Sequence, residues 1–293
     1  MKKLLIGLIA LSMVLSLAIG NASGNGTTGA QFLRIGVGAR ACAMGEAYAA
    51  IADDPTAIFW NPAGIAQLER KEIVFDQNFW LLDITHQYLA FTSPMAKGNI
   101  GASFYYSSSG DIPKTENFIT VGKYSAYDAA ASIAYAGSLK KSIFYGAAVK
   151  YIFEKIENES AQTFAGDLGV IFKPVKLPGL KGALEIRNIG PGVKFIENAD
   201  PLPLYIGLAG SYVYRDFTCG LAIGKHRGND LSLGLGAEYL IKNTLALRAG
   251  YNTAHSITMG MGIYWKVFKI DYAMAPNKDL DSSHRVTLGI VFR

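Results

Sequence analysis

The stretch Leu231–Ile241, LSLGLGAEYLI, sets Leu231, Leu233, Leu235, Ala237, Tyr239 and Ile241 on one parity and Ser232, Gly234, Gly236 and Glu238 on the other. Side chains alternate faces along a strand, so this is a strand with two unlike faces. A soluble sandwich turns its large apolar face inward and puts Lys, Glu and Thr on the wet face. Here the second face is crowded with Gly and Ser, residues that weaken a solvated strand but make room inside a lumen. The pattern is that of a membrane barrel, with the apolar face turned to lipid and small or polar residues turned inward.

The neighbouring stretches repeat it. Leu245, Leu247, Ala249 and Tyr251 oppose Thr244, Ala246, Arg248 and Gly250, and Ile257, Met259, Met261, Ile263 and Trp265 oppose Ser256, Thr258, Gly260, Gly262, Tyr264 and Lys266. Upstream, Tyr145, Ala147, Val149, Tyr151 and Phe153 alternate with Gly146, Ala148, Lys150 and Glu154. Such runs start near Glu72, His86, Asn99, Tyr127, Ser142, Thr163, Lys181, Leu204, Phe217, Leu231, Thr244, Ser256, Val267 and His284. That is about fourteen runs of about 9–12 residues, the length that crosses a bilayer when tilted. Short breaks such as Lys242-Asn243 mark hairpins between neighbours. Tyr251, Trp265, Phe268, Tyr272 and Phe292 fall towards strand ends, as an interfacial aromatic girdle requires. The fold class expected is all-β: a transmembrane β-barrel of about 14 antiparallel strands over residues 71–293.

Composition agrees. Hydrophobic residues make up 50% of the chain and charged residues 17%, yet beyond the N-terminus no uninterrupted apolar run is long enough for a membrane helix. At the N-terminus, Lys2 and Lys3 precede an apolar core from Leu4 to Ile19, with small residues at Ala18, Gly20 and Ala22. Residues 1–22 thus read as a cleaved export signal, and the expected destination is the outer membrane of a Gram-negative-type bacterium. The net charge of +5 includes those two lysines, and the chain has no dense basic run, so no nucleic-acid partner is expected. Cys42 and Cys219 do not suggest a disulfide framework. GNGTTG at 24–29 and GVGARA at 36–41 match a dinucleotide fingerprint by letter but lack the strand and βαβ unit that give it meaning. His86, His226, His255 and His284 stand apart from one another, and no nucleophile elbow or carboxylate pair is evident. Neither an enzyme nor a metal or other cofactor is expected.

Residues 23–70 lack the period-two pattern. The Ala-rich segment Ala39–Ile51 predicts a short helix ending near Asp53 and Asp54, after which Pro55 and Pro62 forbid a regular helix. A lumen of this width is not filled by strand side chains alone. The segment is therefore expected to be a hatch inside the barrel, carrying Asp53, Asp54, Trp60, Asn61, Pro62, Ala63 and Gly64. The alternation puts Lys150, Glu154, Asp167, Glu185, Arg187, Glu238, Arg248, Lys266, Asp271 and Arg285 on the lumen side. Asp53 or Asp54 is expected to pair with a cation there such as Arg248 or Arg285.

GVGARACAMGEAYAAIADDPTAIFWNPAGIAQL (36–68) resembles the N-terminal motif of the PorV/PorQ family, an uncharacterised outer-membrane family related to FadL-type channels. The resemblance continues in IRNIGPGVKF (186–195), PLPLYIGLAGSY (201–212), GLGAEYLIKNTLALRAGY (234–251) and FKIDYAMAPNKDLDSSHRVTLGIVFR (268–293). It implies a barrel whose N-terminal hatch contains Asn61, Pro62 and Ala63. It also implies two functions. PorV-like proteins serve type IX secretion, with secretion components or exported cargo as partners. FadL-like proteins take up hydrophobic small molecules through the lumen. Beside both stands a structural barrel set in outer-membrane lipid, and a family name does not choose among these.

Overall fold

A computed structural model of the protein describes residues 28–253, 256–276 and 282–292; the export segment at 1–22 lies outside them. The strands in chain order are β1 (Glu72–Phe79), β2 (Thr85–Pro94), β3 (Asn99–Ser108), β4 (Ile112–Glu116), β5 (Ile119–Tyr124) and β6 (Ala126–Lys140). There follow β7 (Ile143–Ile156), β8 (Glu159–Phe172), β9 (Leu180–Ile189), β10 (Val193–Lys194), β11 (Ala199–Asp200) and β12 (Tyr205–Tyr214). The last six are β13 (Phe217–His226), β14 (Leu231–Ile241), β15 (Leu245–Asn252), β16 (Ser256–Trp265), β17 (Phe268–Ala275) and β18 (Ser283–Val291). Fourteen of them close into one antiparallel barrel, and β4 with β5 and β10 with β11 form two small hairpins outside it. The seam is β1 against β18, paired from Glu72 opposite Val291 to Phe79 opposite His284.

Burial is inverted, as the alternation requires. Leu235, Leu247, Met259, Ile263 and Leu288 face outward and are exposed, whereas Glu238, Arg248 and Asp271 are buried inside. Leu233, expected on the outer belt, is half-buried, because the connection after Asn252 bonds back to it through Thr253. Tyr251, Trp265, Phe268, Tyr272 and Phe292 are all exposed. A strand of about ten residues is about 33 Å long, and a tilt of about 40° sets it across the roughly 25 Å apolar band of an outer-membrane barrel. The strands are more uneven than the expected run length: β1, β15 and β17 have 8 residues, while β6, β7 and β8 have 15, 14 and 14. The end where the chain enters β1 and leaves β18 has tight turns at 141–142, 215–216 and 266–267, and the other end carries the long connections 109–125 and 190–204. In outer-membrane barrels of known structure short turns face the periplasm and long loops face out.

The hatch fills the lumen. It consists of a 3₁₀ turn Gln31–Arg34, a helical turn Ala39–Ala43, a second Ala57–Trp60 and a 3₁₀ turn Pro62–Gln67. The helix expected over Ala39–Ile51 therefore stops at Ala43. Gly45 and Glu46 take φ of 60° and 61°, the left-handed region that a right-handed helix cannot continue through. Most of the hydrophobic core lies between hatch and wall: Phe32, Met44, Tyr48, Ile58 and Ile65 pack with Tyr88, Tyr105, Ala134 and Ile152.

Candidate functional site

Asn61, Pro62 and Ala63 sit on a flat place in the wall. Gly146 of β7 and Gly169 of β8 are direct partners, and a Cβ at Gly169 would run into the Asn61 carboxamide while one at Gly146 would run into the Pro62–Ala63 peptide. Pro62 drives Asn61 into an extended conformation, with φ −157° and ψ 103°. Its carboxamide then accepts from Ala63 N at 3.1 Å and donates to Ala49 O at 3.3 Å and to the strand carbonyl of Val170 at 3.5 Å. Fully buried Asn61 thus ties two parts of the hatch to the barrel. Trp60 donates its indole N–H to Val37 O at 2.9 Å, holding the start of the hatch against its middle.

Near the short-turn end, four linked ion pairs form a chain in which Arg40–Glu238 is the link between hatch and wall. Arg40 meets Asp53 at 2.5 Å and Glu238 at 2.8 Å, while Arg248 meets Glu238 at 2.6 Å and Asp271 at 2.7 Å. Burial alone would raise the Asp53 carboxyl, but the Arg40 guanidinium against it holds it below the usual carboxylate range. The expected partners of the aspartates were wrong. Asp53 pairs within the hatch, and Asp54 accepts from the Tyr48 hydroxyl at 2.7 Å and Thr56 N at 2.8 Å. Arg248 is held by wall carboxylates, and Arg285 donates to Gly36 O at 2.6 Å instead. That last contact belongs to a second anchor across the seam: Gly38 N donates to Asp76 at 3.0 Å, Ala39 N to the Thr287 hydroxyl at 2.7 Å, and Thr287 to Asp76 at 2.6 Å. A third cluster joins wall strands, with Lys150 to Asp167 at 2.8 Å and to Asn188 at 2.7 Å, and Arg187 to Glu185 at 3.2 Å. Glu154 is also buried inside, next to Asp128 on the neighbouring strand. Lys266 is the exception among the ten: it lies in the β16–β17 turn, exposed, with Nζ 4.5 Å from the Trp265 ring, because the turn ends the alternation one residue before it.

Above the hatch, towards the long-loop end, is a cavity of about 640 Å³. Its floor includes Ile35, Phe59 and Trp60 from the hatch, and its walls include Trp80, Arg187, Tyr205 and His226. The Arg187 guanidinium lies 4.2 Å from the Tyr205 ring, 5.1 Å from Phe59 and 5.3 Å from Trp60, a charge wrapped in aromatic faces. Polar and charged side chains, Arg34, Glu46, Asn229 and Asp230 among them, make up most of the rest of the lining, and the size is that of a small-molecule site. Arg40, Asp76, Phe59, Trp80 and Tyr205 were not singled out from sequence. Asp76 was within reach, as an acid at an inward position of a strand, and so was Arg40, the lone charge of an Ala-rich turn. Nothing local marks the other three.

The family model for the uncharacterised protein family UPF0164 matches residues 10–195. The chain belongs to the UPF0164 family. A UPF0164 protein of Treponema pallidum (strain Nichols) is 28% identical over 223 residues, which is 66% of this chain and 52% of that protein, so the chain spans about half the length of that relative. Among solved structures, this UPF0164 chain resembles the Ralstonia pickettii toluene transporter TbuX, with TM-score 0.68 and 13% identity over 88% of this chain and 99% of that one. It resembles the Pseudomonas putida toluene transporter TodX with TM-score 0.64 and 13% identity over 92% and 97%. A Pseudomonas aeruginosa FadL homologue matches with TM-score 0.59 and 12% identity over 86% and 97%. The UPF0164 barrel therefore has the fold of FadL-type outer-membrane channels; these findings stop short of a PorV/PorQ assignment.

Proposed function

We propose that this UPF0164 protein is an outer-membrane channel that admits small hydrophobic molecules through its lumen, with the hatch as the element that opens and closes the path. The observation that carries the reading is the cavity lying on the hatch at the outward end, with the aromatic side chains of Phe59 and Trp60 in its floor leading directly into Asn61–Ala63. A molecule seated there touches the segment whose movement would release it inward. The resemblance to transporters of toluene supports the same substrate class. Association with a secretion system, the other function implied by the PorV/PorQ resemblance, draws support from neither the cavity nor the compared structures.

The test is uptake of a labelled apolar compound such as toluene by Gram-negative cells that lack a channel of this kind, with and without this protein in their outer membrane. Expression should raise the initial rate several-fold. An unchanged rate, with the barrel shown to be inserted, would sink the reading.

A further inference from the structure

Charge is divided unequally between the two ends of the barrel. At the short-turn end, the chain entering β1 (69–71) and the connections 95–98, 141–142, 173–179, 215–216, 242–244 and 266–267 hold nine Lys and Arg against two acids, Glu69 and Asp216. The whole chain carries only +5, so this rim is more positive than the protein and the remainder is net acidic. Every connection at this end contributes: Lys97, Lys141, Lys176, Arg215, Lys242 and Lys266 come from six different turns, and all six are exposed. In a closed sheet such turns follow one another around the rim, so the cations form a ring. None of the nine is in an ion pair among the described residues. At the other end Lys114 meets Glu157 at 2.7 Å and Lys123 meets Asp111 at 3.2 Å.

We infer that this ring is a docking surface for anionic phospholipid, whose headgroups collect around the short-turn rim of the barrel. Depth supports a lipid partner. Lys266 Nζ is 4.5 Å from the Trp265 ring and the Arg215 guanidinium 5.2 Å from the Tyr214 ring, and both rings are exposed at the ends of their strands. Aromatic side chains at strand ends sit at the level of the headgroups, and a long cationic side chain beside them reaches the phosphates. Shape supports it too. A globular partner would cover one side of the rim, whereas the lipid annulus meets every turn. Each cation near an anionic membrane surface strengthens the attraction, and an unpaired one is free to do so. The ring does not depend on what passes through the lumen.

Phosphatidylglycerol and phosphatidylcholine with the same spin-labelled acyl chain are the probes, each added in trace to phosphatidylcholine vesicles holding the full-length protein. Electron paramagnetic resonance reads the fraction of each that is immobilised on the barrel. Phosphatidylglycerol should be preferred about threefold: about fivefold at the basic rim, the worth of one cation at a headgroup surface, averaged with parity at the other. Salt at about 1 M, where the screening length is about 3 Å, should remove the preference from the unaltered protein. A variant with Lys97, Lys141, Lys176, Arg215, Lys242 and Lys266 all changed to Gln should lose it at low salt, while Lys114→Gln with Lys123→Gln should keep it. Equal immobilisation of the two lipids by the unaltered protein at low salt would overturn the proposal and leave the ring to an acidic macromolecule, and that result needs no variant to fold. So would a preference that survives 1 M salt, one that persists in the six-fold variant, or one that disappears with the two lysines of the other end.

Discussion

Glu238 touches two guanidiniums from different parts of the molecule, Arg40 of the hatch and Arg248 of β15. Neither cation can shed its charge, so the carboxylate is what allows them to approach. Glu238→Gln keeps the shape and removes that charge, leaving part-buried Arg40 and buried Arg248 with a single carboxylate each, Asp53 and Asp271. Breaking a buried pair in this way should cost about 3–5 kcal/mol. The loss should be read as a lower denaturant midpoint for the detergent-folded barrel, with Glu238→Asp recovering part of it; an unchanged midpoint would mean that the hatch does not depend on this junction. At this scale the sequence was only half legible. Alternation put Glu238, Arg248 and Asp271 inside because facing follows parity. It did not pair them, because partners on β14, β15 and β17 are set by the register of a closed sheet, and the Arg40–Asp53 contact is set by a hatch with no period at all.

The hatch is an element without regular structure over most of its length, and its backbone groups are satisfied by side chains and by the wall. Irregular backbone survives at membrane depth only on those terms. The barrel's own ladder is complete without it, since all fourteen strands bond to two neighbours. Deleting about residues 39–66 should therefore leave a barrel that closes but conducts, because closure of the sheet needs no hatch hydrogen bonds. Planar-bilayer conductance of the deletion variant against the full chain checks this, and two equally closed proteins, both inserted, would show that the hatch does not block the path. The barrel strands were legible to within a few residues because a wall with lipid on one face and a crowded lumen on the other enforces period two. The hairpin of β4 and β5 was not, since Ile112–Tyr124 stands clear of both environments and nothing sorts its side chains by parity.

For the molecule as a whole, the large apolar residues point out and the charges point in, so the outer surface is the one that cannot tolerate a cation. Leu235, exposed and midway along β14, should accept Lys at a cost of about 2–4 kcal/mol in a lipid bilayer. Lys266→Ser, on the exposed turn, should stay within about 0.5 kcal/mol. Unfolding from phospholipid vesicles separates the two; similar values would place Leu235 off the lipid face. The seam has a different consequence, one of timing. The first strand and the last must find each other after all the others have been made, and the bond from Ala39 to Thr287 spans 248 residues. The bond from Gly38 to Asp76 spans only 38. A hatch already fastened to β1 at Asp76 then offers β18 a set of bonds held in place at the open edge, raising the local concentration of the closing partner. The plug is in this sense a template as well as a stopper. Thr287→Val should slow the gain of the compact, heat-modifiable gel band by more than it lowers the stability of the finished barrel, and a folding rate equal to that of the unaltered chain would show that the seam closes without help.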